Sequence, residues 1–162
     1  MKQRLYWFSV LAGLLAALML SAPAIAAGQL VPFKGRSSGA VTTVGVDLVA
    51  GIAHTRVEGE GQATHLGHFT QTGDVGVDLA TGNARGTWTL TAANGDMLFL
   101  EMEAYGIDPT HGVGAFTVVG GTGRFEGATG SYEQIITFAV APGTSDSTFT
   151  DVLKGTISFG HQ

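Results

Sequence analysis

The chain has 162 residues, 13 acidic against 8 basic side chains, a formal charge of −5, no cysteine and 25 glycines. With no basic patch or arginine cluster to neutralise phosphates, nucleic acid is excluded as a partner. Without cysteine there are no disulfides, zinc–thiolate sites, cysteine nucleophiles or lipid-modified cysteine anchor.

The N-terminus reads as an export signal. Lys2 and Arg4 supply the charged region, residues 10–20 are apolar apart from Gly13, and Ala24-Ile25-Ala26 gives the small-x-small cleavage pattern. Cleavage after Ala26 leaves 136 residues with 13 acidic and 6 basic side chains, a formal charge of −7. The expected organisation is a signal peptide, 1–26, followed by one domain, 27–162, that is periplasmic or extracellular. The apolar run is too short and wrongly flanked for a membrane span, and no second candidate follows.

Dense glycine with Thr, Val and Ala, and little Lys, Glu or Leu, predicts an all-β domain. Strand-like runs fall near 30–36, 40–49, 57–70, 74–79, 84–92, 96–105, 113–119, 130–140 and 147–159, which is the spacing of a barrel or sandwich. One or two of them are expected to merge, and 74–79 is the weakest. Residues 106–112 and 142–146 read as loops, and no helical period occurs outside the signal.

The sharpest local geometry lies at Ala93-Asn94-Gly95-Asp96, because Asn-Gly between alternating runs predicts a two-residue type I′ hairpin. That turn pairs Trp88 with Glu101, Leu90 with Phe99, Ala92 with Met97, Gly86 with Glu103 and Ala84 with Tyr105. The opposite face then carries Arg85, Thr87, Thr89 and Thr91 against Leu98, Leu100, Met102 and Ala104. The aromatic-rich face is the expected interior. It makes Trp88, Leu90, Phe99 and Tyr105, with His65 from the run before, candidate lumen residues. Glu101 and Glu103 become candidate catalytic carboxylates, since an acid among aromatics has a raised pKa suited to proton transfer. A bulge that slips the register by one residue reverses every assignment and leaves both glutamates solvated.

Residues 120–133 hold five glycines in eleven positions, from Gly120 to Gly130. A nucleotide-binding loop needs a helix after its glycines, but strand formers follow here, and three residues instead of two separate Gly123 from Gly127. The Gly-Thr-Gly-Arg-Phe turn resembles that of the dirigent proteins and the allene oxide cyclase barrel-like proteins. Residues 59–70 and 86–96 are similar to the exported bacterial branch of that group, so the resemblance spans most of 33–159. It implies a calycin-type, eight-stranded antiparallel β-barrel with a central cavity, often assembled as a trimer. It also implies no cofactor, because allene oxide cyclases and dirigent proteins both work without one. The plant cyclase pattern includes a cavity cysteine, and this chain has none.

Other constellations are weaker. His65 and His68, three apart on an expected strand, point to opposite faces and cannot share a metal ion without a bulge, so no metal site is expected. A serine hydrolase is not expected, since Ser131 has no identifiable base. Asp74 and Asp78 read as a turn, and Arg124 as a partner of backbone carbonyls, Glu126 or Asp151. Three function classes follow. The chain is a barrel enclosing a small hydrophobic molecule, a cofactor-independent isomerase or cyclase, or a filled barrel serving as a structural module.

Overall fold

A computed structural model describes residues 28–140, 143 and 146–160. The expected signal segment 1–26, most of the 142–146 loop and His161 lie outside the described residues. Eight antiparallel strands form a closed barrel in sequence order. They are β1 Val31–Asp47, β2 Ile52–Ala63, β3 Gly67–Asp78, β4 Ala84–Ala92, β5 Met97–Asp108, β6 His111–Gly121, β7 Thr129–Val140 and β8 Ser147–Ser158. β1 closes the ring against β8, with Val31 opposite Ile157 and Val41 opposite Ser147, so among the described residues no strand edge is left to recruit another chain.

Several sequence boundaries shift, and the expected 106–112 loop shrinks to Pro109 and Thr110, because β5 runs to Asp108 and β6 starts at His111. The runs at 30–36 and 40–49 are one strand, β1, whose ladder is interrupted only between Thr43 and Gly45. The run at 57–70 splits at a tight turn where His65 takes φ 64° and Gly67 takes φ 72°. Thr64 ties this turn to β1 by accepting from Lys34 N at 2.9 Å and donating to Pro32 O at 3.0 Å. The run at 74–79 is the end of β3.

The hairpin between β4 and β5 overturns the expected register. Gly95 N donates to Ala92 O at 2.9 Å and Ala92 N to Asp96 O at 2.8 Å, enclosing a three-residue loop. Gly95 has φ 89°, but Asn94 is not in the left-handed region, so the type I′ turn does not form. The loop is a turn closed by a left-handed glycine, which adds one residue to the connection. Trp88 therefore faces Leu100, Thr87 faces Glu101 and Arg85 faces Glu103. Trp88, Leu90, Leu98, Leu100 and Met102 point into the barrel, whereas Phe99, Glu101, Glu103 and Tyr105 point out.

The two barrel ends differ. At one, Leu66, Phe125 and Ala128 are buried as a plug, and Phe125 lies in a single 3-10 turn, Gly123–Phe125, between β6 and β7. Arg124 in that turn donates to Leu66 O at 3.2 Å and lies 3.7 Å from Asp96, not against Glu126 or Asp151. At the other end, carboxylates hold the hairpins. Asp47 accepts from Val49 N and Ala50 N, Asp78 from Ala80 N and Thr81 N, and Asp108 from Thr110 N. These side chains replace the backbone partners that a turn lacks.

Candidate functional site: the barrel lumen

Inward positions of the strands are mostly apolar, but a few polar groups occupy that phase. Along β3 the sequence Phe69, Gln71, Gly73, Val75 lines the interior, and Gln71 is 1% exposed. Along β8 the corresponding series is Phe149, Asp151, Leu153, and along β7 it is Tyr132, Gln134, Ile136, Phe138. Burying these groups is costly unless each finds a partner. Four of them form one chain. Trp88 Nε1 donates to Gln71 Oε1 at 3.0 Å, Gln71 Nε2 donates to Ser37 Oγ at 2.8 Å, and Ser37 Oγ donates to Asp151 Oδ2 at 2.7 Å. Ser37 N adds a bond to Asp151 Oδ1 at 3.1 Å. Every donor in the chain points toward the carboxylate.

Gly73 makes room for this arrangement. It pairs with Trp88 across the β3–β4 ladder, and a Cβ there would collide with the indole ring. The ring then lies across the interior, in edge-to-face contact with Phe116 at 5.4 Å. Phe116 stacks on Tyr132 at 4.9 Å, and Tyr132 packs on Phe33 at 5.2 Å. This aromatic column fills the plugged half of the barrel.

The other half stays open. A cavity of about 120 Å³ is bounded by Val57, Val75, Met102, Trp88 and Phe116, and, nearer the Asp-turn end, by Val77, Ala84, Phe138 and Phe149. Thr55, Gln134 and Asp151 are its polar walls. Burial pushes the Asp151 carboxyl above the ordinary carboxylate range, and the two Ser37 bonds pull partly against that rise. Burial, with the nearby Asp151 charge, raises the Tyr132 phenol well above its ordinary value. Among the described residues, neither Tyr132 Oη nor Gln134 Nε2 has a hydrogen-bond partner.

The candidates named from sequence divide clearly. Trp88 and Leu90 are inside, and Trp88 lines the cavity. Phe99 and Tyr105 are exposed on the outer wall, and with them Glu101 and Glu103, the latter 3.3 Å from Arg85. The register slip thus removes the aromatic surroundings that made the two glutamates attractive. His65 lies in the β2–β3 turn with its ring edge against Phe159 at 5.5 Å, and His68 is exposed on β3 beside Glu60. The lumen's polar residues Ser37, Gln71, Gln134 and Asp151 were not singled out. A sequence signal did exist, since each is a polar residue in the apolar phase of an alternating strand.

No family profile matches the sequence, and no curated protein matches it. Solved structures do match. A pterocarpan synthase dirigent protein, PsPTS1, superposes with a TM-score of 0.58 at 13% identity over 84% of this chain and 98% of its own. A second, GePTS1, gives 0.56 at 11% identity over 84% and 88%. The fold is the dirigent-like barrel. At these identities the likeness concerns the fold alone, and the lumen of this dirigent-like barrel has to be read from its own residues.

Proposed function

We propose that this dirigent-like barrel is an exported protein that takes up a small, mainly apolar molecule in its lumen. The observation that carries the reading is the cavity of about 120 Å³, walled by aliphatic and aromatic side chains with a few buried polar groups. An apolar cavity of about 150 Å³ accepts a benzene ring. One ring or compact head group therefore fits, and anything larger extends through the end where Val77, Ala84 and Phe138 are only half-buried. The signal-like N-terminus supports export to the periplasm or beyond. Ile135 and Val152, exposed cross-strand neighbours on the outer wall, support self-association, with a trimer as the form the fold resemblance implies.

A second reading, a cofactor-independent isomerase or cyclase, is favoured by one feature. Asp151 borders the cavity with its carboxyl held above the usual range, as a general acid requires. Native mass spectrometry on the processed protein purified gently from its own host tests the first reading. A discrete excess mass lost on denaturation is the expected result. Bare chains at every oligomeric state count against a resident ligand and favour a filled barrel or transient turnover.

A further inference from the structure

Asp151 is the only charged side chain bordering the lumen cavity among the described residues. Among the described residues its hydrogen bonds come from Ser37 alone, and no described Lys, Arg or His lines the space. A buried carboxylate without a cationic partner is an expensive arrangement, and a fold keeps it more readily when something else supplies the positive charge. The remaining walls are suited to that something. Trp88, Phe116, Phe138 and Phe149 all border the same cavity, and aromatic rings attract cations through their electron-rich faces. Phe138 and Phe149 are directly paired across β7 and β8, so they enclose the lumen together.

The entrance has the same sign. The hairpins at the open end carry Asp47, Asp78 and Asp108, with Asp146 at the start of β8. The carboxyls of Asp47, Asp78 and Asp108 are held below their ordinary range by the turn N–H bonds, and Asp108 also by its contact with His111 Nδ1 at 2.9 Å, so they are ionised at neutral pH. A chain of formal charge −5 with an acidic mouth draws cations toward a low-dielectric pocket and repels anions. Size narrows the class again, because about 120 Å³ holds a compact head group but not a large amphiphile. Gln134 Nε2, buried and without a partner, would be satisfied by an oxygen on the same ligand.

We infer that the lumen recognises a compact alkylammonium cation with a nearby hydroxyl or carbonyl oxygen, paired with Asp151 and surrounded by Trp88, Phe116, Phe138 and Phe149. This rests on the lumen-binding reading and specifies its ligand. A neutral apolar guest would leave the carboxylate uncompensated, and an anion would meet it head-on.

Choline and its uncharged carbon isostere, 3,3-dimethylbutan-1-ol, differ only at the head-group atom and serve as probes. Calorimetric titration of the processed full chain at neutral pH is expected to give at least about tenfold tighter binding of choline. Asp151→Asn should cut that preference to what the aromatic rings alone provide while leaving the isostere's affinity unchanged, which also reports that the variant is folded. In the wild type, choline affinity should fall on acidification as Asp151 gains its proton. Tyr132, the other titratable group that interacts with Asp151, stays neutral throughout because burial raises its pKa. Equal or tighter binding of the isostere overturns the cation assignment and leaves lumen binding standing. A choline preference undiminished in Asp151→Asn places the cation elsewhere and also overturns it. If neither probe binds, the lumen reading fails along with it.

Discussion

The hydrogen-bonded chain across the lumen makes a prediction that separates it from simple packing. Replacing Gln71 by Met keeps the length and much of the volume but removes both amide groups. Trp88 Nε1, 3.0 Å from Gln71 Oε1 and within a residue only 7% exposed, is then left with no acceptor. Ser37 Oγ loses an incoming bond but still donates to Asp151. A buried donor stripped of its partner costs about 1–3 kcal/mol, so Gln71→Met should destabilise by that amount. Trp88→Phe removes the other partner, costing the indole packing plus about 1–3 kcal/mol for the orphaned amide oxygen. In the double variant neither group is left stranded. Its loss should therefore fall short of the summed single losses by about 1 kcal/mol or more. Urea unfolding followed by far-UV circular dichroism gives all four free energies. Additivity within about 0.5 kcal/mol would refute the chain as an energetic unit.

Gly73→Ala should cost about 1–3 kcal/mol, because the new methyl meets the Trp88 ring and forces it to move; near-ultraviolet dichroism should change with it. Gly95→Ala forces a side chain into φ 89° and should cost about 1–2 kcal/mol by chemical denaturation, with the barrel retained. Glu101→Gln should leave stability within about 0.5 kcal/mol and ligand binding unchanged, since the side chain is on the outer wall; a large loss of either would return it to the site. The pH dependence follows from Asp151. Its folded pKa is raised above the ordinary 3.8, so between those two values the folded protein holds a proton that the unfolded chain has released. Stability must therefore fall as pH rises through that window and level off above it. The difference between wild type and Asp151→Asn should show this slope, whereas the lowered carboxyls of Asp47, Asp78 and Asp108 act with the opposite sign below 3.8.

The barrel itself was readable because its cause is local and repeated: two-residue alternation marks which side chains are buried, and glycine or Asp-rich turns mark where each strand reverses. Register was not readable, because it hangs on one dihedral. Asn94 can adopt positive φ and here does not, leaving Gly95 alone in that region, and this single choice turns Glu101 and Glu103 outward. The alternation held a counter-signal, since Leu98, Leu100 and Met102 form an uninterrupted aliphatic face opposite one with two glutamates. Aromatic content weighed against it misled, because Phe99 and Tyr105 are outside. The β2–β3 turn was missed for a related reason: His65, a residue that rarely takes positive φ, does so here alongside Gly67. The lumen site was legible only in part. That Asp151 stands in the apolar phase of β8 is visible in the sequence, but its meeting with Ser37 depends on barrel closure across 114 residues of chain.

The position of Trp88 links this closure to what the barrel can hold. Filling and emptiness are divided along the barrel axis by one ring, which reaches across the interior only because Gly73 opposite has no side chain. On the plugged side lies the column of Phe116, Tyr132 and Phe33, and beyond it Phe125 and Leu66 close the end. On the open side lies the cavity that Asp151 and Gln134 border. Eight strands enclose barely more room than side chains need, so a cavity exists only where inward positions are small or the fill is displaced. Val57, Val75, Ala84 and Ala104 provide the small positions. Enlarging the plugged side, for example by Phe116→Ala, would remove the ring on which both Trp88 and Tyr132 pack, at a cost of about 3–5 kcal/mol. Trimming Met102 at the open side to Ala enlarges the lumen directly and should cost about 2–5 kcal/mol. If lumen volume limits the guest, Met102→Ala should extend binding to bulkier head groups such as triethylammonium, and unchanged selectivity would mean that the entrance, not the lumen, sets the limit.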